Sequence, residues 1–398
     1  MNRITKFIQR LFDARRDLFE EGGKLEKLGP FFEATEAFFL YPVIATKKKP
    51  VIRDSLDLKR FMSLVIVALL PPTVFGIWNA GYQSRMAAGL STELLPAFLT
   101  GLSFVLPLIL VSYAVGFFWE TLFAAIRKHP ISEGLLVTGL LYPLTLPPGM
   151  PLWQAAVGMS FGIVIGKEIF GGTGRNIFNP ALTARAFVFF AYPAQMSGDA
   201  VWVAVRDSAG KAVDAVTGAT PLALTSLAAP FNSIEELLRE NGYTLGKLFL
   251  GHYPGSIGAT SAILCLAGAA FLVVLGIANY RIIAGGILGL LAMGAVLNLF
   301  AGPNVPPWFG INPIYHLASG GFAFGIAYMA TDPVSAPGTN RARWLYGFLI
   351  GVLTILIRVF NPAFPEGVML AILFMNLFAP LMEYTEVRLK ISRRIPHA

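Results

Sequence analysis

The sequence predicts an all-α integral membrane protein of about ten transmembrane helices, arranged as two inverted five-helix repeats with some helices broken or re-entrant. Three observations predict it: an excess of apolar residues, the recurrence of apolar stretches of span length, and a lopsided distribution of basic side chains. Of the 398 residues, 55% are hydrophobic and 14% charged, where a soluble domain carries about a quarter charged residues. So much apolar surface cannot be hidden in a soluble core of this size, so most of it must face lipid or other membrane helices. The 40 glycines and 27 prolines suit helices that pack closely and break where neighbouring protein satisfies the backbone. The single cysteine, Cys265, excludes an intramolecular disulfide and any four-cysteine metal site. It lies in an apolar run, where a small core residue is the expected role.

Residues 1–57 are polar, mixed in charge and expected to be cytoplasmic. The stretch Phe31-Phe32-Glu33-Ala34-Thr35-Glu36-Ala37-Phe38-Phe39 puts aromatics on one side of a helix, as suits a surface helix at a membrane or against a partner. The chain starts with charged amphipathic sequence, not a short apolar core and cleavage site, so no signal peptide is expected. Apolar stretches then recur at 58–80, 95–126, 131–147, 152–170, 177–194, 257–279, 281–301, 311–330, 344–361 and 366–386. Each is near the length that crosses about 30 Å of hydrocarbon. The third, fourth and fifth are short and interrupted by proline and glycine, which predicts re-entrant or broken helices there.

The basic residues test this order. With the N-terminus inside and the spans alternating, 24 of the 31 Lys and Arg fall on the inner side. These are the thirteen before residue 61 and Arg127, Lys128, Lys167, Arg175, Arg281, Arg341, Arg343, Arg388, Lys390, Arg393 and Arg394. Only Arg85, Arg206, Lys211, Arg239 and Lys247 fall outside, while Arg185 and Arg358 lie within spans. The asymmetry obeys the positive-inside rule and places both termini, including the basic tail 387–398, in the cytoplasm. It also disposes of nucleic acid as a partner, because the +8 net charge is spread along one membrane face. The longest external segment, 195–256, divides the spans into a first half, 58–194, and a second, 257–386. Five spans per half invert one half relative to the other, and such repeats frame sites near the bilayer midplane. The pairs Leu146-Pro147-Pro148-Gly149 with Ala336-Pro337-Gly338, and Asn179-Pro180 with Asn361-Pro362, are a faint echo of that repeat.

The external loop carries Asp214-Ala215-Val216-Thr217-Gly218-Ala219-Thr220-Pro221-Leu222. Small residues before Thr220 let the backbone approach a bulky group, and the hydroxyl is a candidate ester acceptor. Gly and Thr also make ordinary turns, and the residues alone leave both readings open. Gly258-Ala259-Thr260 repeats the Gly-Ala-Thr triplet, but Pro254 stands six positions before its threonine and Ile257 three before. The run Gly171-Gly172-Thr173-Gly174-Arg175-Asn176 lacks the Gly-Lys-Ser/Thr ending of a phosphate-binding loop and reads equally as a tight helix connection. Intramembrane ionisable residues are costly and mark ion or proton paths, which singles out Glu120, Asp332 and Glu383 near the inner ends of spans two, eight and ten. Interfacial carboxylates solvated by headgroup water fit the same positions. Arg185 and Arg358 are expected to pair inside the bundle, and His316 to be a packed core residue.

The pattern Asp-x-x-Ser/Thr-Gly-Ala-Thr resembles a flavin-attachment motif whose last threonine forms a phosphoester with FMN. The chain is similar to the B subunits of the sodium-translocating NADH:quinone oxidoreductases. The resemblance runs from Gly22-Gly23-Lys24 and Val51-Ile52-Arg53-Asp54-Ser55 through Lys167-Glu168-Ile169-Phe170-Gly171-Gly172, Phe189-Phe190-Ala191-Tyr192-Pro193, Ala330-Thr331-Asp332-Pro333 and Arg358-Val359-Phe360-Asn361-Pro362. It implies a membrane subunit of a heteromeric complex of about half a dozen subunits in the bacterial inner membrane, with the flavin loop on the periplasmic side. It further implies covalent FMN on Thr220, framed by Asp214, Thr217, Gly218 and Ala219. Non-covalent riboflavin is implied near Asn176 and Asn179, ubiquinone as electron acceptor near Gly116, and uptake of Na+ or H+ at Glu120 and Glu383. The family has a second glycine where Phe117 stands, and Asp where Glu383 stands. The D subunits of ferredoxin–NAD oxidoreductases, which share the threonine motif, and a flavin-free channel or transporter are the rival readings. The long charged segment before span one favours the quinone enzyme.

Overall fold

The computed structural model describes residues 58–127, 131–198, 201–205, 220–226, 233–302, 305–361, 364 and 366–392, with isolated positions before residue 58. Among these, every regular element is helical. The first half holds α1 (Leu58–Ala87), α2 (Leu94–Arg127), α3 (Gly134–Leu144), α4 (Leu152–Val164) and α5 (Pro180–Ala191). A four-residue helical turn, Pro193–Met196, follows, and then three short helices: α6 (Pro221–Ser226), α7 (Ile234–Glu240) and α8 (Leu245–Leu250). The second half holds α9 (Ala262–Val274), α10 (Tyr280–Leu299), α11 (Pro313–Ala318), α12 (Asn340–Phe360) and α13 (Val368–Ser392).

Five helices are long and apolar enough to cross a membrane: Arg60–Ala87, Leu94–Arg127, Tyr280–Leu299, Asn340–Phe360 and Val368–Ser392. The expected short third, fourth and fifth elements are α3, α4 and α5, of 11, 13 and 12 residues. Two more are shorter than their apolar stretches suggest. The sixth stretch, 257–279, is helical only over the 13 residues of α9. The eighth, 311–330, breaks at Ser319-Gly320-Gly321, where both glycines have positive φ, and resumes as a π-helical turn at Gly325–Met329. Hydropathy takes the turns at 257–261 and 275–279 as span, because a window of span length averages their Gly, Thr, Ser and Asn with the strongly apolar helix between them. Of the segment 1–57 only scattered positions are described; there Phe32 packs against Phe12 and Phe19, with ring centroids 5.4 and 4.5 Å apart. The tail from residue 393 lies outside the described residues.

Glycine sets the tightest helix contacts. A Cβ on Gly101 would stand 1.7 Å from Ile77 O, so α1 and α2 touch backbone to backbone. Between α10 and α12, a Cβ on Gly289 would meet Phe348 O at 2.0 Å and one on Gly351 would meet Gly286 O at 2.1 Å. Lipid offers no hydrophobic force to bring helices together, so small residues that allow close van der Waals approach take its place. The halves join where α9 packs on α1 and α13 on α5. At the join, Gly258 N donates to Leu144 O at 2.7 Å and Ile257 N to Leu146 O at 3.2 Å. Broken helices leave such backbone groups free, and each half satisfies those of the other.

Candidate functional site

Two cavities lie at opposite ends of α5 and α9. The larger, about 290 Å³, is bounded by the end of α5 at Phe189, the start of α6 at Thr220, the approach to α9 at Tyr253 and Thr260, the Gly320-Gly321 break, and the start of α13 at Met369. The smaller, about 70 Å³, is bounded by Met62, Lys167, Thr173, Asn176, Asn179, Tyr328 and Asp332. From Asn179 to Phe189 along α5 is about 15 Å, at a rise of 1.5 Å per residue. Along α9 the run from Thr260 to Leu272 is about 18 Å.

At the larger cavity, Thr220 caps α6: Ala223 N donates to its Oγ1 at 3.1 Å. Pro221 follows at the first helical position, where its missing N–H costs nothing. The ester candidate is thus held in one orientation facing the cavity, half-buried and reachable. Asp214, Thr217, Gly218 and Ala219 lie outside the described residues. Thr260, set aside by sequence for lacking the motif, lines the same cavity; its side chain is buried and its Oγ1 has no hydrogen-bond partner among the described residues. A buried unpaired hydroxyl is expensive; Thr260 lines the cavity, while its Oγ1 is itself enclosed. Its juxtaposition with Thr220 had no signal in sequence, because 40 positions separate them. Phe189, Trp202, Tyr253 and Phe364 supply aromatic wall.

Charge stands behind that wall. Arg185 of α5 pairs with Glu366, which lines the cavity, and so ties the two halves together. Arg358, fully buried in α12, donates to His316 O at 2.8 Å, Ser319 O at 3.3 Å and Glu366 O at 3.1 Å. It thereby collects the carbonyls freed where the eighth span breaks. His316 is buried, stacked on Trp308 at 5.1 Å, with Nδ1 3.3 Å from Arg358. These three residues take the internal pairing roles expected of them, and Cys265 is a buried core residue.

The smaller cavity brings together Asn176, Asn179 and Asp332 from distant parts of the chain. Asn179 Oδ1 accepts from Ala181 N at 3.0 Å and Leu182 N at 3.3 Å, capping α5, and Asn176 Nδ2 donates to Phe178 O at 2.9 Å. Their amides therefore shape this turn, and a cavity of about 70 Å³ is far below the several hundred Å³ of pockets that enclose drug-sized ligands. Riboflavin does not fit between these residues as they stand. Asp332 accepts from Ser335 Oγ at 2.7 Å. Beside it Lys167 pairs with Glu120, and Arg127 holds Glu168 at 3.0 Å. Lys167, counted by sequence as a charge on the inner face, is in fact buried. Glu383 stays apart, half-buried against Gly338, where an added Cβ would meet its Oε1 at 2.7 Å.

Gly116 borders neither cavity. It faces the bundle, where a Cβ would meet Leu135 Cδ1 at 2.7 Å and Met159 Cε at 2.9 Å, so its observed part is helix packing. The neighbouring Phe117 packs against Tyr113, centroids 6.3 Å apart, and Phe118 is exposed.

Residues 45–391 match the family model described as the NQR2, RnfD, RnfE family. The chain is 47% identical to the B subunit of the Na(+)-translocating NADH-quinone reductase of Ectopseudomonas mendocina over 98% of both chains. It is 46% identical to the B subunit of the reductase of the same name from Azotobacter vinelandii, again over 98% of both. The corresponding Chromohalobacter salexigens chain is 46% identical over 98% of this chain and 96% of its own length.

Proposed function

The chain belongs to the NQR2, RnfD and RnfE family, and from that premise we propose that it is the B-type membrane subunit of a Na+-translocating NADH–quinone reductase. The relatives that carry this name match almost the whole chain, including much of the charged segment before α1. This favours the quinone enzyme over the ferredoxin-linked one, and family membership leaves the flavin-free channel without support. In this reading the subunit is a multi-pass protein of the inner membrane, assembled with the other subunits of its complex. Its two five-span halves, 58–194 and 257–386, are inverted, its termini are cytoplasmic and the loop 195–256 is periplasmic. The charge asymmetry supports the orientation.

Thr220 is the attachment residue for FMN, with Oγ1 as the ester oxygen. The observation that carries this is the cavity of about 290 Å³ that Thr220 lines, walled by the aromatics Phe189, Trp202, Tyr253 and Phe364 with a few polar residues, Ser256 and Glu366 among them. Its aromatic wall and few polar groups suit a tethered aromatic ring. Bound there, FMN supplies the electron-transfer chemistry that side chains lack. The chain's part is to orient: the cap bond from Ala223 N fixes Oγ1, and the pair Arg185–Glu366 holds the far wall rigid. Riboflavin is left out of this path, because the space between Asn176 and Asn179 does not admit its ring. Ubiquinone is reduced at a site of the assembled complex, and the exposed Phe118 face of α2 is the part of this chain nearest Gly116 that can contribute to it. The carboxylates Glu120 and Asp332, with Glu383 further along the same face, serve cation entry, for Na+ or equally for H+.

Replacing Thr220 by Ala abolishes flavin fluorescence of the chain in a denaturing gel, and replacing Thr260 by Ala preserves it. Fluorescence that survives Thr220→Ala sinks the attachment claim. Fluorescence lost with Thr260→Ala but kept with Thr220→Ala moves it to the other threonine.

A further inference from the structure

The buried cluster at the inner end of α2 and α4 has a charge balance that asks for one more cation. Lys167 Nζ contacts Glu120, and lies 4.0 Å from Glu168. Glu168 is fully buried; Arg127 engages its Oε2 at 3.0 Å and its backbone oxygen at 2.8 Å, while its Oε1 has no hydrogen-bond partner among the described residues. Lys167 also borders the cavity of about 70 Å³, and Asp332 lines that same cavity. Two carboxylates, Glu120 and Glu168, thus engage two cations, Lys167 and Arg127, and a third carboxylate, Asp332, lines the cavity that Lys167 borders. Buried charge without compensation is costly, and a single monovalent cation completes the balance.

We propose that Lys167 is a tethered counter-cation: it holds Glu120 and Glu168 while the cation site is empty, and yields to an incoming monovalent cation by swinging into the adjoining cavity toward Asp332. The inference rests on the cation-translocating reading above. Three features point to a movable ammonium. Its stem is flexible and its charge compact, unlike a guanidinium. The space it needs exists beside it, and a carboxylate stands on that space. The unpaired Oε1 of Glu168 supplies an oxygen that the ammonium does not fully satisfy and that a smaller, fully desolvated cation can take. The exchange completes the charge balance, since the arriving cation replaces the ammonium at Glu120 and Glu168 and the ammonium neutralises Asp332.

The test is the Na+ concentration at half-maximal quinone reduction by the purified whole complex. An internal competitor reduces apparent affinity by the fraction of time it occupies the site. Lys167→Gln removes it, so half-saturation falls about tenfold if the ammonium occupies the site nine-tenths of the time. Lys167→Arg raises half-saturation, because the planar fork stays bidentate on the carboxylates and does not fit the small cavity. Asp332→Asn raises it by a larger factor in the wild-type background than in the Lys167→Gln background, which is the coupling expected of one exchange. Half-saturation unchanged in Lys167→Gln, or equal effects of Asp332→Asn in both backgrounds, overturns the proposal and makes the pair a fixed structural brace. If Lys167→Gln fails to assemble, the Lys167→Arg and Asp332→Asn measurements decide alone, and half-saturation unchanged in both overturns it. A wild-type complex indifferent to Na+ refutes Na+ as the coupling ion, and with it the reading this inference rests on.

Discussion

At the scale of single residues, stability and function both turn on which polar groups are paired. The pair Arg185–Glu366 crosses between the halves with Arg185 buried. Arg185→Ala strands the Glu366 carboxylate and is expected to cost about 3 kcal/mol. The double variant Arg185→Met with Glu366→Gln recovers part of that loss. Thermal unfolding in detergent measures both, and a single variant as stable as wild type contradicts the bridge. The sequence made Arg185 and Arg358 legible as internal pairing residues, because a charge inside an apolar span must find a partner. It singles out Thr220 through the resemblance of Asp214-x-x-Thr217-Gly218-Ala219-Thr220 to a flavin-attachment motif. It did not reveal Thr260, since a hydroxyl at a helix start looks the same whether it faces a cavity or caps a turn. The burial of Lys167 is hidden for a related reason. Beside Glu168 at the end of an apolar run it looks like an interfacial charge, and only the fold brings α2 and Glu120 over it.

At the scale of elements, backbone contact between helices carries the packing. Gly351→Leu forces α12 away from α10, where a Cβ alone would stand 2.1 Å from Gly286 O. Overpacking of this kind is expected to cost about 3 kcal/mol or more, read as a lower midpoint of thermal unfolding in detergent. An unchanged midpoint means that the helices are not in backbone contact. Substituting Gly302, which has open space around it, is the control and leaves the midpoint near wild type. The long helices α1, α2, α10, α12 and α13 were readable from hydropathy to within a few residues at most ends. The breaks in the sixth and eighth stretches were not. Their turns are short and flanked by apolar helix, so a span-length window averages over them, and some of their freed backbone groups find partners in the other half, as Gly258 does at Leu144.

At the scale of the whole molecule, the orientation is an electrostatic statement and can be tested by chemistry at two points. Cys265 is fully buried, so the native chain is a silent background for thiol labelling. Glu240→Cys, at the exposed end of α7, reacts with a membrane-impermeant maleimide in intact cells. Arg388→Cys, exposed in the last turns of α13, reacts only after the membrane is opened. Labelling in the reverse order inverts the topology and puts the Thr220 cavity on the cytoplasmic side. The all-helical membrane class was legible from composition, because lipid demands apolar helices of span length wherever the chain crosses it. The two cavities were not, because each is assembled from both halves and from residues more than a hundred positions apart.

The most direct test of the central claim is the intact mass of the purified chain. Wild-type protein is expected to weigh one FMN less one water more than its sequence, and Thr220→Ala to weigh its sequence alone. A wild-type mass without that increment, or the increment retained in Thr220→Ala, contradicts it.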